Sequence, residues 1–477
     1  MLDQSFTANN FYNIFLYENR KGNNIEKKFF ENDIYIKYTL KISEINSKLR
    51  TSRKTFIKND IKNRTPSKES FIRYKKYLRA LKRKLKKEKE TELLIILERI
   101  SNNIQNKNFS FSLTTGMFNG KTVYKIGNSP EEFFAIKQLQ YNFKKLYKIK
   151  QSNRFEIVNQ LNNLLSDNFP KYIIKTDIKS FYESIPNDII ISKLQQDNLL
   201  SPKSKDLVVK IIKKFKDIAN IADTKGIPRG IGISAYLAEY YMRKVDDKIK
   251  NLTDIIYYAR YVDDIIIIFS LKSTSQIPDY FSKIENIIEK DFNPLLINKK
   301  KTQIIIQKKN NLQGKIYKKK RKYKVVNLSS NDININYLGY SYLLNNKLEI
   351  TITDNKIQRY KKKIKLSFDE YLKFKNKRKA YQYLRDRLTF LTKNYRLHNN
   401  KGHILTGLYF SNMLVTKLDF LDELDKYLKW YLNRYVKNTY HKSKLSEFGF
   451  KSGFEKIEYT KLSNNQIKNI IRIWKNV

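Results

Sequence analysis

Three aspartates carry the chemical interest of this sequence: Asp263 and Asp264, adjacent within YYARYVDDIIIIFS at 257–270, and Asp177, 86 residues before Asp263 at the end of KYIIKTD. Strand-forming runs from Ile255 to Tyr261 and from Ile265 to Phe269 predict a hairpin whose turn holds Val262, Asp263 and Asp264. An isolated Asp-Asp pair at such a tip is ordinarily solvated charge. A third carboxylate changes that reading, because another apolar strand, Tyr172 to Ile174, runs into Asp177. Phosphoryl transfer from a nucleoside triphosphate uses two divalent ions about 4 Å apart, one lowering the pKa of the attacking hydroxyl and one stabilising the departing pyrophosphate. Magnesium keeps several waters and takes few protein ligands, so acids from two neighbouring strand ends, with a backbone carbonyl such as that of Ile178, suffice to hold the ions.

Composition agrees with an oxygen-bound metal. The chain has no cysteine, which removes disulfides, thiolate zinc sites and cysteine nucleophiles together, and its three histidines, His398, His403 and His441, are scattered. At 477 residues, 41% apolar and 13% aromatic, it is long enough for two to four folded domains. A formal charge of +50 exceeds what solubility needs and calls for a polyanion, nucleic acid first. No apolar stretch approaches the roughly 20 residues that span a bilayer, and MLDQSFTANN lacks a basic-then-apolar signal, so the expectation is a cytoplasmic protein with no membrane partner.

The elements that must position the aspartates follow from periodicity. From about 25 to 105 the pattern is helical and basic: Tyr74, Leu78, Leu81 and Leu85 mark one helix face, and residues 73–89 hold ten Lys or Arg against one acid. That face either packs on the body, leaving a solvated helix, or belongs to an arm that meets nucleic acid. Residues 108 to 170 read as short mixed segments with a basic helix at FFAIKQLQYNFKKLYKIK, ending in a polar linker before Phe169-Pro170. Strands and helices then alternate to about 352, and after Thr353 the chain turns helical with no further strand-rich domain. The run KIYKKKRKYK at 315–324, seven basic residues of ten with two tyrosines, reads as a mobile loop or a nucleic-acid contact.

Five blocks in order resemble the palm motifs of reverse transcriptases: Asp177 with Phe181-Tyr182, GIPRGIGIS at 226–234, YVDD at 261–264, INKKKT at 297–302 and YLGY at 337–340. The resemblance covers residues 171–340 and implies an α+β right-hand polymerase with a ferredoxin-like palm, fingers, a helical thumb and a C-terminal helical extension. The expected division is a basic helical region at 1–105, fingers and palm at 106–352, and thumb with extension at 353–477. It implies two Mg2+ ions held by Asp177, Ile178, Asp263 and Asp264, with dNTPs as substrate. Tyr182 falls where the family keeps a ring against the sugar of the incoming nucleotide, and such a ring would clash with a 2′-hydroxyl. Gly226, Gly230 and Gly232 would let the backbone pass close to a nucleotide or template base, and Ser234 could cap the next helix. Arg229 stands where the family usually has Gln, and Ala235 where it has Pro; an arginine there could fork onto a phosphate or a base edge. Lys301 falls where the family places a lysine that protonates the leaving pyrophosphate, with Lys299 and Lys300 beside it. Tyr337 to Tyr340 would form the primer-grip hairpin, turning at Gly339.

Within the family, the long basic N-terminal region, Arg229 and the stretch KGIPRGIGISAYLAEYYM resemble the bacterial phage-defence reverse transcriptases, of the abortive-infection type or working as two-polymerase pairs. That likeness implies antiviral defence, DNA synthesis that is protein-primed or untemplated, a non-coding RNA or DNA partner, an oligomer, and a second polymerase subunit in the paired type. The alternatives are a retron- or intron-like RNA-templated enzyme, an RNA-dependent RNA polymerase, and a non-catalytic polymerase relic that holds nucleic acid by charge.

Overall fold

A strand flanked on both sides in its sheet and covered on both faces is buried along its length, and Lys171–Asp177 and Asp264–Ser270 occupy that place, the first buried at every residue and the second from Ile265 to Phe269. The computed structural model describes residues 2–474 apart from 31–32, 62–67, 119, 151, 168, 220–224, 274–275, 309–310, 320–322, 329–332, 345–347 and 397–404. Four helices come first, α1 (Ala8–Arg20), α2 (Ile25–Phe29), α3 (Asp33–Ile61) and α4 (Lys68–Gln105). The apolar stripe on α4 is met by α3: Leu78 and Leu85 bury against Ile45, with Leu81, Ile42 and Leu49 around them, while Tyr74 stays exposed.

A hairpin of β1 (Leu113–Phe118) and β2 (Lys121–Ile126) leads to α5 (Pro130–Leu146) and α6 (Arg154–Ser166). The α5 start is fixed by Pro130 in the first turn and a reciprocal cap between Ser129 and Glu132. The expected polar linker is in fact α6, capped by Asn153, which buries Ile157, Val158, Leu161 and Leu165. Its apolar residues recur at helical spacing between asparagines, and that polar filler hid the stripe.

Next come β3 (Lys171–Asp177), α7 (Phe181–Ser184), α8 (Asn187–Gln196), α9 (Pro202–Ala219), α10 (Ser234–Lys250), β4 (Ile255–Tyr261), β5 (Asp264–Ser270), α11 (Tyr280–Asn286), β6 (Gln303–Lys308), β7 (Asn311–Lys319) and β8 (Tyr323–Leu328). The six strands form an antiparallel sheet in the order β4-β5-β3-β6-β7-β8. Alternate side chains divide the core. Ile174, Ile265, Ile267 and Phe269 join the cluster around α5 and α8 to α10, whereas Ile173, Ile266 and Ile268 join a second cluster with α6 and the C-terminal helices. The basic run at 315–324 spans the β7–β8 hairpin rather than a free loop; residues 320–322 of it lie outside the described residues.

A three-stranded sheet follows, β9 (Asn334–Tyr337), β10 (Tyr340–Leu344) and β11 (Leu348–Ile352), and then α12 (Asp354–Lys373), α13 (Lys377–Thr392), β12 (Asn394–Arg396), β13 (Leu405–Gly407), α14 (Asp419–Tyr435), α15 (Thr439–Ser446), α16 (Phe450–Glu455), β14 (Tyr459–Thr460) and α17 (Asn464–Arg472). The C-terminal part is helical as expected, except that β12 pairs with β13 and β14 in a minimal sheet too short for periodicity to reveal. His398 and His403 lie outside the described residues; His441 stacks on Tyr381 at 4.0 Å between ring centres. Among the described residues no helix is long and apolar enough to cross a membrane. The architecture is of the expected α+β class.

Candidate active site

Antiparallel pairing in register brings the three aspartates together. Asp177 ends β3 directly opposite Asp264, the first residue of β5, and Tyr261 pairs across the hairpin with the same Asp264. The turn is therefore Val262-Asp263 alone, one residue tighter than expected, with Asp264 already on the strand. Val262 takes φ +60, a left-handed conformation that a β-branched residue adopts only under strain. The Asp263 carbonyl accepts from the Ile178 amide at 3.1 Å, and the Asp177 carbonyl accepts from the Asn298 amide at 2.8 Å. Both ends of the site are thus tied down by backbone: Ile178 bridges Ile297 and carries INKKKT to the edge of the carboxylates.

Burial raises the pKa of Asp263 and of Asp264, and the charge of Asp177 adds to both shifts. Two lysines oppose it. Lys301, on a single 3-10 turn at Lys299–Lys301, donates to Asp177 Oδ2 at 2.6 Å; burial works against its charge, but that bond and the three carboxylates raise its pKa overall. Lys175 Nζ stands 4.0 Å from Asp264 Oδ1, and burial lowers its pKa. Lys299 is held away by Glu285 at 2.6 Å, so of the consecutive lysines the expected Lys301 is on the aspartates. Among the described residues no three carboxylates or imidazoles close into a finished cation cage; an ammonium stands on Asp177 instead. The residues nevertheless fit hard divalent cations. Their donors are carboxylate oxygens, their like charges repel, and Asp177 Oδ1 is buried with no hydrogen-bond partner.

A second group lies beside the first. Arg229 forks onto Glu183 through Nε at 2.9 Å and Nη2 at 2.8 Å, and its guanidinium lies 5.4 Å from the centre of the Tyr182 ring. The close approach that Gly230 permits is to β2: at φ +99 its missing Cβ would fall 2.8 Å from the Tyr124 carbonyl, and the Tyr124 amide donates to the Arg229 carbonyl at 2.7 Å. Ser234 does not cap α10. Its hydroxyl donates back to the Pro228 carbonyl at 2.6 Å and closes the loop on itself.

On the far wall, Tyr337 and Tyr340 pair across a turn of Leu338 (φ +48) and Gly339 (φ +78), as the YLGY reading expected. Tyr337 Oη donates to the Asp264 carbonyl at 3.1 Å. Arg154 Nε donates to the Leu338 carbonyl at 2.7 Å, and Arg154 and Lys356 both lie over the Tyr340 ring. One cleft of about 940 Å³ joins Tyr182, Arg229, Asp263, Asp264, Lys301 and Lys356.

Sequence reasoning missed several of these groups. Arg260 is buried and forks onto both Asp246 and Glu239 of α10, while its Nη1 donates to the Val262 carbonyl at 2.9 Å, clamping the turn. A lone arginine inside an apolar strand was its available signal. Glu183, Arg154 and Lys356 gave none, since their partners are distant along the chain.

No curated protein matches this sequence. Solved structures similar to it include apo telomerase from Candida tropicalis (14% identity, TM-score 0.35, 76% of this chain and 60% of that one) and telomerase from Candida albicans in complex with the TWJ fragment of telomeric RNA (13%, 0.32, 80% and 65%). The chain thus spans 60% of the length of the first of these. Residues 118–342 match the family described as reverse transcriptase (RNA-dependent DNA polymerase), so this part of the chain is a reverse transcriptase domain, and the mixed helices and sheets of the chain fit an α+β polymerase fold.

Proposed function

We propose that the protein is a DNA polymerase that joins the α-phosphate of a dNTP to a primer hydroxyl, with Asp177, Asp263, Asp264 and the Ile178 carbonyl holding two Mg2+ ions. The observation that carries this is the register of Asp177 on Asp264, which sets two carboxylates face to face with Asp263 one residue away. Magnesium bound there would acidify the attacking hydroxyl and neutralise pyrophosphate. The new oxygen–phosphorus bond forms as the bond to pyrophosphate breaks. Lys301 stays protonated through its contact with Asp177 and is within the same cleft to hand a proton to the leaving group. Tyr182 offers the ring that would exclude a 2′-hydroxyl. Residues 1–105 serve as a basic helical region, 106–352 as fingers and palm, and 353–477 as thumb and extension.

The likeness to phage-defence enzymes supports a role in antiviral defence in the cytoplasm, with a non-coding RNA or DNA product bound, in an oligomer that admits a second polymerase subunit. Arg229, engaged by Glu183 over Tyr182, supports a mode in which the protein itself biases nucleotide choice, protein-primed or untemplated. Purified protein with labelled dNTPs and magnesium should make polymer, and Asp263→Ala should abolish it; undiminished synthesis by the variant would overturn the assignment. Sequencing the product made with and without added RNA reads the template requirement, and a wild-type preference for GTP over dGTP would return the reading to an RNA polymerase.

A further inference from the structure

We infer that a second cavity, between α1, α5 and α10, binds a single-stranded segment of nucleic acid by stacking its bases on tyrosines and pairing its phosphates with lysines. The cavity measures about 530 Å³, within the range of built ligand sites, and shares no lining residue with the aspartate cleft. Tyr17 from α1, Tyr141 from α5 and Tyr236 from α10 open onto it, and Tyr17 and Tyr141 are exposed. Four lysines, Lys21, Lys137, Lys144 and Lys145, line it against one carboxylate, Glu18.

The carboxylate is built in. Glu18 is 2% exposed and accepts from Lys21 at 3.2 Å and from Asn23 at 2.6 Å, with Lys137 at 3.2 Å, so it fixes two of the four cations at the cavity wall. Lys144 and Lys145 stand exposed on the next turn of α5, beside Tyr141. Rings that accept any base face, with cations beside them, are the chemistry of sequence-tolerant single-strand binding. A purely electrostatic surface would not need three tyrosines from three different helices. One wall is supplied by α1, which lies before the matched domain, and the floor by Gln140, whose Nε2 would fall 1.9 Å from a Cβ at Gly232 in the GIPRGIGIS loop. The site therefore gives the N-terminal region a chemical task.

Binding of a fluorescein-labelled eight-nucleotide oligouridine carrying 4-thiouridine to the full chain, without magnesium or dNTP, tests this independently of polymerisation. Irradiation should crosslink Tyr17, Tyr141 or Tyr236. The charge-neutral pair Tyr17→Leu and Tyr141→Leu should weaken binding by about tenfold or more, and Lys144→Ala with Lys145→Ala should do the same. Lys213→Ala with Lys214→Ala, an equal loss of exposed charge on α9, should leave affinity within about twofold. Crosslinks confined to other residues, an equal loss in the α9 control, affinity untouched by the tyrosine pair, or tighter binding of free UTP than of the strand would each overturn the inference.

Discussion

Two arginines flank the Asp263 turn, and they are used in opposite ways. Arg260 has 4% of its side chain exposed and is gripped by two carboxylates of one helix, while Tyr258 Oη braces Asp246 at 2.6 Å. Burial opposes its charge, yet Asp246 and Glu239 hold its pKa well above the ordinary value. Arg229 meets a single carboxylate, Glu183, that is 49% exposed. The first arrangement cannot come apart without leaving charges buried, and it fixes the turn to α10. The second can exchange its partner for a ligand phosphate or base edge at little cost, because water replaces what is lost. A polymerase site needs both a rigid frame for the carboxylates and a cation free to meet what enters.

The largest effect that would separate them is on stability. Arg260→Met strands Asp246 and Glu239, and removing one member of a buried charge cluster costs about 3–5 kcal/mol. Urea unfolding should show that loss, and a change below about 1 kcal/mol would place Arg260 with Arg229 as a dispensable surface ion pair.

Lys356 is the intermediate case: half-buried where Arg260 is buried, its ammonium donates to the Ser411 carbonyl at 3.3 Å and to Asn412, which are neutral. Burial first, and Arg154 next, lower its pKa to about 7. The unfolded chain, with an ordinary lysine, binds more protons between that value and the ordinary one, so stability should rise as pH climbs through this window. Lys356→Met should flatten that rise and stabilise the protein by about 2 kcal/mol at neutral pH. An unchanged unfolding profile from pH 7 to 10 would mean that Lys356 is solvated.

Arg229→Ala should hardly alter unfolding, by less than about 1 kcal/mol, while raising KM for dNTP about tenfold. Glu183→Gln frees the guanidinium and should move KM the opposite way. Equal KM in both variants would reduce the pair to a surface salt bridge and leave nucleotide choice to Tyr182.

The difference between the arginines also explains what the sequence could reveal. The aspartates were legible because Asp177 closes one strand, Asp263 and Asp264 stand at the turn between two others, and five blocks keep their order; the two-faced burial of IIIIF follows from its composition. Arg260 and Glu183 were visible as letters but not as partners, since Asp246 and Arg229 reach them only through the fold. Lys356 needed the β9–β10 hairpin to lie on it before its burial meant anything. The α6 helix and the β12–β14 sheet failed for a different reason: one dilutes its stripe with asparagine, and the other uses strands of two or three residues.

The smallest effect concerns what the rigid frame costs. Arg260 and the strained Val262 hold Asp263 and Asp264 where burial, and then the charge of Asp177, raise their pKa values. A raised acid binds protons more tightly folded than unfolded, so the contribution is favourable on the acid side and declines as pH rises from the ordinary carboxylate range through the raised values. At neutral pH both groups are ionised against that penalty. Asp264→Asn should therefore abolish synthesis yet stabilise the magnesium-free protein by roughly 1 kcal/mol, and lessen its loss of stability as pH rises over this window. Added magnesium should raise the unfolding midpoint of the wild type and not of the variant. A variant less stable than wild type without magnesium would mean that Asp264 is held by Lys175 as a structural ion pair, placing its carboxylate with Arg260 in the frame rather than with the exchangeable contacts.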